Sequence, residues 1–541
     1  MTQSNTTPRS RREFLARVGG ASGLVGLTAL AGCSTTEPKG NGSGGDGKSS
    51  LPKYTYINNP QSYSPERHDA INLIADTMNK AGFDVDVKVM EWGSLYSTVT
   101  QQHDYGFATW WTFFTIDPGI LLPEYFHSRN TGEGEGNYSG YTNEDLDPKL
   151  EAQLRTADTA KRTGLIHDIQ KTLMEDVPTM PIAQMPDIMA HNKDQVTNWK
   201  HHIAGFNSYY TMVNLKVNNE NNELRGTWPE SLSTMNVLGH NDENKHNYQF
   251  NVIYDRLIQF DENMKPDPEL GLATDWKRVD ETTMEYTVRE STWHDGEPLT
   301  AEDVAFSFNY IKDNEIPLYT LQNQYIEGAE VTGEKTVQLT LAQNLGPVNT
   351  ILGSQIPIIP KHKWESRSNP AKATISNPVG SGPLVFDYWD KGSELGLKKN
   401  PDHFVGVDFD RRFWRIIPET STQWELLKGG DLNYIPFGGI SRQLKQNEKL
   451  DQIGVAKAQS TSFWHFTANN RKEGLGKTAV RQAAVNCIPR TQIVEQILFG
   501  YPDVGSNVVS KAFGDLHTDD VKTYEESLEA AKKKLKDAGY L

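Results

Sequence analysis

The stretch 286–308, YTVRESTWHDGEPLTAEDVAFSF, constrains the fold more than any other part of the chain. Tyr286 and Val288 alternate with polar neighbours, which predicts the end of a half-buried strand. Asp295-Gly296 is a turn pair. Thr300 then fits an N-cap, with Asp303 as its capping-box partner three residues on. Val304, Phe308 and Ile311 follow at helical spacing. Strand, polar turn and capped helix in this order are consistent with α/β architecture. His294 and Asp295 have catalytic chemistry, but a structured turn accounts for both.

At 541 residues the chain exceeds what one core organises, so two or more domains are expected. A net charge of -16 argues against a nucleic-acid partner, which needs a basic surface. Twelve Trp and 21 Tyr are generous; buried aromatics explain most of them, and a carbohydrate- or peptide-stacking cleft would use some. Two cysteines give no disulfide framework. Cys487 stands at helical spacing with Val480 and Ala484, so a buried, inert thiol is predicted.

The amino terminus reads as an address. Residues 10–15, SRREFL, match the twin-arginine export pattern, and 18–31 form a short, Gly/Ala-rich apolar run. Leu30-Ala31-Gly32-Cys33 fits a lipobox, with Cys33 as the lipidated residue. Residues 1–33 are thus assigned as signal and 34–50 as a flexible linker. Gly40-x-Gly42-x-x-Gly45 has no strand before it and no helix after it, so it is not a dinucleotide site. Gly476-Lys477-Thr478 lacks the earlier glycine of a phosphate loop.

After the linker, 53–57 reads as a strand. Ser64-Pro65 starts a helix with Ile71, Ile74 and Met78 on its apolar face, and Gly82 ends it. Phe83, Val85, Val87 and Val89 alternate as a second strand, completing a β-α-β unit. The aromatic run 105–118, YGFATWWTFFTIDP, comes next. Trp110 and Trp111, adjacent on a strand, must point to opposite faces. An acidic helix start follows at 144–147, a further helix opens at Lys161-Arg162, and 176–182 returns as a strand. Thr523 and Glu526 are expected to cap the last helix as a box.

The 286–308 string resembles the "F-x-DG-x-x-x-T-A-x-D-V" signature of the family 5 extracellular solute-binding proteins, receptors that feed peptides and related solutes to ABC importers. Asn137-Tyr138-Ser139-Gly140-Tyr141-Thr142-Asn143 and 176–182 are similar to the family's carboxy-terminal part, yet here they come first. Tyr254-Asp255-Arg256-Leu257, Gly380-Ser381-Gly382-Pro383, Asn400-Pro401 and Val480-Arg481-Gln482-Ala483 resemble motifs that run in the family's own order. The final Ala538-Gly539-Tyr540 matches an "A-G-Y" that in the family leads into the strand here beginning at Leu51. The chain is therefore identified as a circular permutant, with its old termini joined through 218–226. Its new ends, Leu541 and Leu51, should then lie within about ten to fifteen ångströms of each other.

The resemblance implies an α/β, two-lobed periplasmic-binding-protein-like fold of the large variety with an extra domain. Residues 51–186 plus 462–541 would form one lobe, and 187–217 plus 227–461 the other. Hinges fall near 185–188 and 461–464. It further implies a monomer that binds solute without catalysis, cofactor or metal and delivers it to ABC permease subunits; with the amino-terminal signals, the expectation is an exported protein anchored to the outer face of the cytoplasmic membrane by Cys33. Ligand contacts are expected from Trp110, Trp111, Phe113, Phe114, Asp117, Tyr138, Phe463, Trp464 and His465, with Ser381 and Gly382 from the other lobe. For Asp117 a structural turn is favoured over a ligand contact. Peptide-binding members place an Asp where this chain has Phe114, to pair with the peptide's ammonium. An ammonium buried without a carboxylate is costly, so an oligosaccharide or another uncharged, stacking solute stands beside an oligopeptide as the ligand. The rival from another class is a secreted glycan hydrolase using paired carboxylates. Metal-chelate uptake is a third reading.

Overall fold

The computed structural model describes residues 50–112, 115–228, 232–239, 250–436 and 441–541. The signal, Cys33, Phe113 and Phe114 lie outside the described residues.

The first body grows from the β-α-β unit. Strand β1 (Lys53–Asn58) pairs in parallel with β2 (Asp84–Val89) and with β3 (Phe107–Trp111). Between β1 and β2 runs helix α1 (Pro65–Ala81), which Ser64 precedes in extended conformation. Gly82 ends it in the left-handed region at φ 108, where a β-carbon would be strained. Helix α2 (Trp92–Thr100) follows β2, and α3 (Pro118–Phe126) follows β3. Helices α4 (Asp147–Arg155) and α5 (Thr159–Asp176) lead to β4 (Thr179–Asn192). The chain returns much later as β5 (Ile453–Ala468), which inserts antiparallel between β3 and β4. Helices α6 (Thr478–Asn486) and α7 (Leu528–Asp537) then cover the same core.

The expected capping box at Thr523 is corrected. Ser527 caps α7 by accepting from the Ala530 N–H, while Glu526 accepts from the Thr491 N–H instead. Tyr524 is buried in the core. The box at Thr300 and Asp303, by contrast, forms as the sequence predicts. The Cys487 thiol is buried, and burial pushes it up to about 12, so it is inert.

A second core is built from 187–460. It holds a four-stranded sheet of Glu223–Trp228, Leu384–Asp390, Glu394–Lys399 and Arg411–Ile416. An antiparallel sheet of Ala273–Arg278, Thr283–Val288, Ile326–Gly333 and Thr336–Leu341 carries the capped helix Ala301–Asp313. Strand Glu223–Trp228 begins inside the segment 218–226 expected to be linker, so 223–226 are not linker in structure.

β4 and β5 belong to both cores. Ile182 and Ala183 of β4 lie in the first, whereas Ile188, Met189 and Ala190 lie among apolar side chains of the other half. The pairing of the two strands slips between Gln459 and Phe463, a β-bulge at the crossing. Gln184 Nε2 stitches it by donating to the carbonyls of Ser460 and Ser462, at 2.9 and 2.7 Å.

The ends of this body meet. A β-carbon placed on Gly474 would lie 2.8 Å from Leu51 Cδ2 and 3.7 Å from Tyr540 Oη, and Leu541 packs on the end of α1 at Gly82.

Candidate functional site

The register aligns Asn58 with Val89 and Ile57 with Ala108, so β1, β2 and β3 all end at one edge of the sheet. The first-core segment of β5 starts at that edge, with Trp464 opposite Trp111, and β4 leaves it towards the second core. The carboxyl ends of parallel strands are where open α/β sheets bind ligands. The crest formed by these ends therefore faces the crossing between the two cores.

Alternation along β3 separates the two tryptophans as expected. Trp110 is 7 % exposed and packs on Trp92, Tyr96 and Tyr138, whereas Trp111 is 54 % exposed. Beneath the crest, Tyr138, Phe463 and His465 line a cavity with Tyr125, Leu121 and Phe513. About 30 Å³ of it is open to the centre of a water molecule, so waters fit there. The Tyr138 hydroxyl and His465 Nε2 are 2.7 Å apart and their rings stack, with centroids 6.4 Å apart. Burial holds the His465 imidazole down at about 3, so it is neutral at pH 7. Its Nδ1 and the Trp110 Nε1 are buried without partners among the described residues.

The other expected contacts lie elsewhere. Asp117 caps α3 through the Gly119 N–H and takes the Arg162 guanidinium at 2.5 Å, so its carboxylate is committed to the turn. Trp464 is packed into the first core. The Ser381 hydroxyl donates to Asp255 at 2.9 Å, and Asp255 also pairs with His403 at 3.2 Å. The backbone N–H groups of Val405 and Gly406 donate to His403 Nδ1, which leaves Nε2 to carry the proton towards Asp255. The Gly382 carbonyl accepts from His294 and Asn400. Ser381 and Gly382 are thus bonded within the second core.

The crest also holds residues that motif reading passed over. Tyr63 and Trp92 stack at 5.6 Å, with Arg67 beside them. Their signal was position: Trp92 opens the helix after β2, and Tyr63 lies in the turn after β1, where a β-α-β unit presents its ligand. Among the described residues no cluster of three or more His, Cys, Asp or Glu could hold a metal, and no helix is long and apolar enough to cross a membrane.

Residues 267–541 match the family described as bacterial extracellular solute-binding proteins, family 5 Middle. The oligopeptide-binding protein AppA of Bacillus subtilis is 27% identical over 311 residues, covering 54% of this chain and 54% of that protein. The dipeptide-binding protein of Escherichia coli is 25% identical over 316 residues, covering 53% of this chain and 58% of that one. The chain thus spans little more than half the length of these relatives. Among solved structures, NikZ from Campylobacter jejuni in complex with Ni(L-His) superposes with a TM-score of 0.49 at 23% identity, over 59% of this chain and 64% of the other. AppA from Bacillus subtilis in complex with a nonapeptide gives 0.48 at 23%, over 58% and 64%.

Proposed function

We propose, because the chain belongs to the bacterial extracellular solute-binding proteins of family 5, that it captures a solute between its two cores outside the membrane and hands it to an ABC permease. The observation that carries this reading is the pair of long strands, β4 and β5, that cross from one core to the other beside the aromatic crest. Two crossings with a bulge between them are hinge architecture. Family membership sets the hydrolase aside, since the family is one of binding proteins.

The ligand class is peptide-like or saccharide, held by stacking on Trp111 and its neighbours. Phe114 removes the carboxylate that would pair with a peptide's ammonium. The twin-arginine signal and Cys33 supply export and a lipid tether. Circular permutation is supported by the ends meeting over Gly474 and by carboxy-terminal-like motifs at 105–182, ahead of the family match at 267–541.

Thermal-shift screening against peptide and oligosaccharide libraries tests the receptor. A bound solute should raise the melting temperature and be recovered chemically unchanged. Turnover of the solute would sink the reading. Joining 541 to 51 and reopening the chain within 218–222 tests the permutation, since the re-spliced protein should keep both its melting temperature and its binding.

A further inference from the structure

We propose that Arg67, Tyr63 and Trp92 form a subsite for the carboxylate of an anionic solute. The inference rests on the receptor reading above and narrows its ligand class. Arg67 is 5 % exposed, yet it makes no ion pair with any described Asp or Glu. Its Nε donates to Asn59 Oδ1 at 2.5 Å, and its Nη2 is buried without a partner among the described residues. A desolvated cation with no counter-charge is a costly arrangement, and a bound anion would relieve it. Buried Arg162, on the same body, has its carboxylate in Asp117. Arg412 of the second core also has unpartnered nitrogens, but it is 0 % exposed, whereas the rings beside Arg67 are exposed.

The guanidinium carbon lies 5.5 Å from the Tyr63 ring centre and 5.6 Å from that of Trp92. These two rings stack on each other, and both are exposed, Tyr63 by 54 % and Trp92 by 37 %. Trp92 in turn meets the edge of Trp110, whose indole N–H lacks a partner among the described residues.

A guanidinium fork matches a planar carboxylate, and the paired rings take a flat apolar face. The occupant is therefore an acid whose carboxylate adjoins a ring or apolar surface and which carries no free ammonium. An amino-blocked peptide and a uronic sugar both meet that description.

The test titrates the full chain with benzoate and with benzamide, following tryptophan fluorescence and heat. Benzoate should bind about tenfold more tightly, the value of one charge-assisted contact. Arg67→Gln should bring the ratio near one. Arg67→Lys, which keeps the charge but loses the fork, should leave it intermediate. Trp92→Ala should weaken both probes alike and preserve the ratio. N-acetyl-dialanine against its amide, and galacturonate against its methyl ester, then distinguish the two sources by which acid gains more. Equal binding of benzoate and benzamide overturns the proposal. So does a ratio that survives Arg67→Gln, or, should that variant misfold, one unchanged in Arg67→Lys. If a neutral solute raises the melting temperature with no preference for acids, the subsite falls and the receptor stands. If no solute of any class does so, both fall.

Discussion

At the crest of the first core and in the cavity below it, Arg67 Nη2, Trp110 Nε1 and His465 Nδ1 are buried without partners among the described residues. Around Ser381 in the second core, hydroxyl, carboxylate and two imidazoles bond one another or the backbone, and the Tyr209 hydroxyl beside His403 is the group left without a partner among the described residues. A buried polar group left open costs free energy unless a ligand or water completes it, while a closed network stabilises and specifies the fold. On the proposed function, the open groups of the crest are the ones a solute could complete, while the network around Ser381 mainly holds its own chain in place.

Four substitutions would break or sharpen that contrast. The largest effect is expected from Trp110→Ala, which empties a packed aromatic site and should cost about 3–5 kcal/mol in urea denaturation. Asp255→Ala leaves Ser381 and His403 without their acceptor and should cost about 3 kcal/mol. Should Asp255→Ala prove neutral in stability and instead abolish solute binding, the second region would be a site and the contrast would collapse.

His465 gives a pH signature of the crest. Unfolded, the imidazole takes a proton near 6.5, whereas in the folded protein burial delays this to about 3. Below 6.5 the unfolded state therefore binds more protons, so stability falls with pH by about 1.4 kcal/mol per unit and levels off near 3. His191 and His202, held down at about 4 by burial, act in the same direction over most of that window. His465→Gln should remove one share of the slope, read from denaturation midpoints between pH 7 and 4. The smallest effect on stability belongs to Trp111→Ala, within about 0.5 kcal/mol because the ring is already exposed. Solute affinity should suffer from it more than stability does.

Local grammar was legible wherever one residue type settles one geometry. Gly82, the Thr300–Asp303 box and the opposed faces of Trp110 and Trp111 follow from backbone and period alone. The turn role of Asp117 was legible, but the partners of Asp117 and Ser381 could not be read that way. Their motifs say that a polar group is needed but not whether solvent, ligand or protein will meet it, and the partners Arg162 and Asp255 are distant in sequence. Thr523 misled because a capping box is a local pattern, and here Glu526 is drawn off by Thr491. Arg67 escaped notice for the converse reason: nothing in its neighbours' identities announces a missing carboxylate.

The position of β5 has a consequence for synthesis. It is the strand between β3 and β4, yet it leaves the ribosome after nearly all of the second core has been made. Until then β3 and β4 each carry a raw edge able to recruit another chain, while α6 and α7, which seal the same body, come later still. The later-numbered half can close on itself first, and the earlier half must wait, held open, for its middle strand.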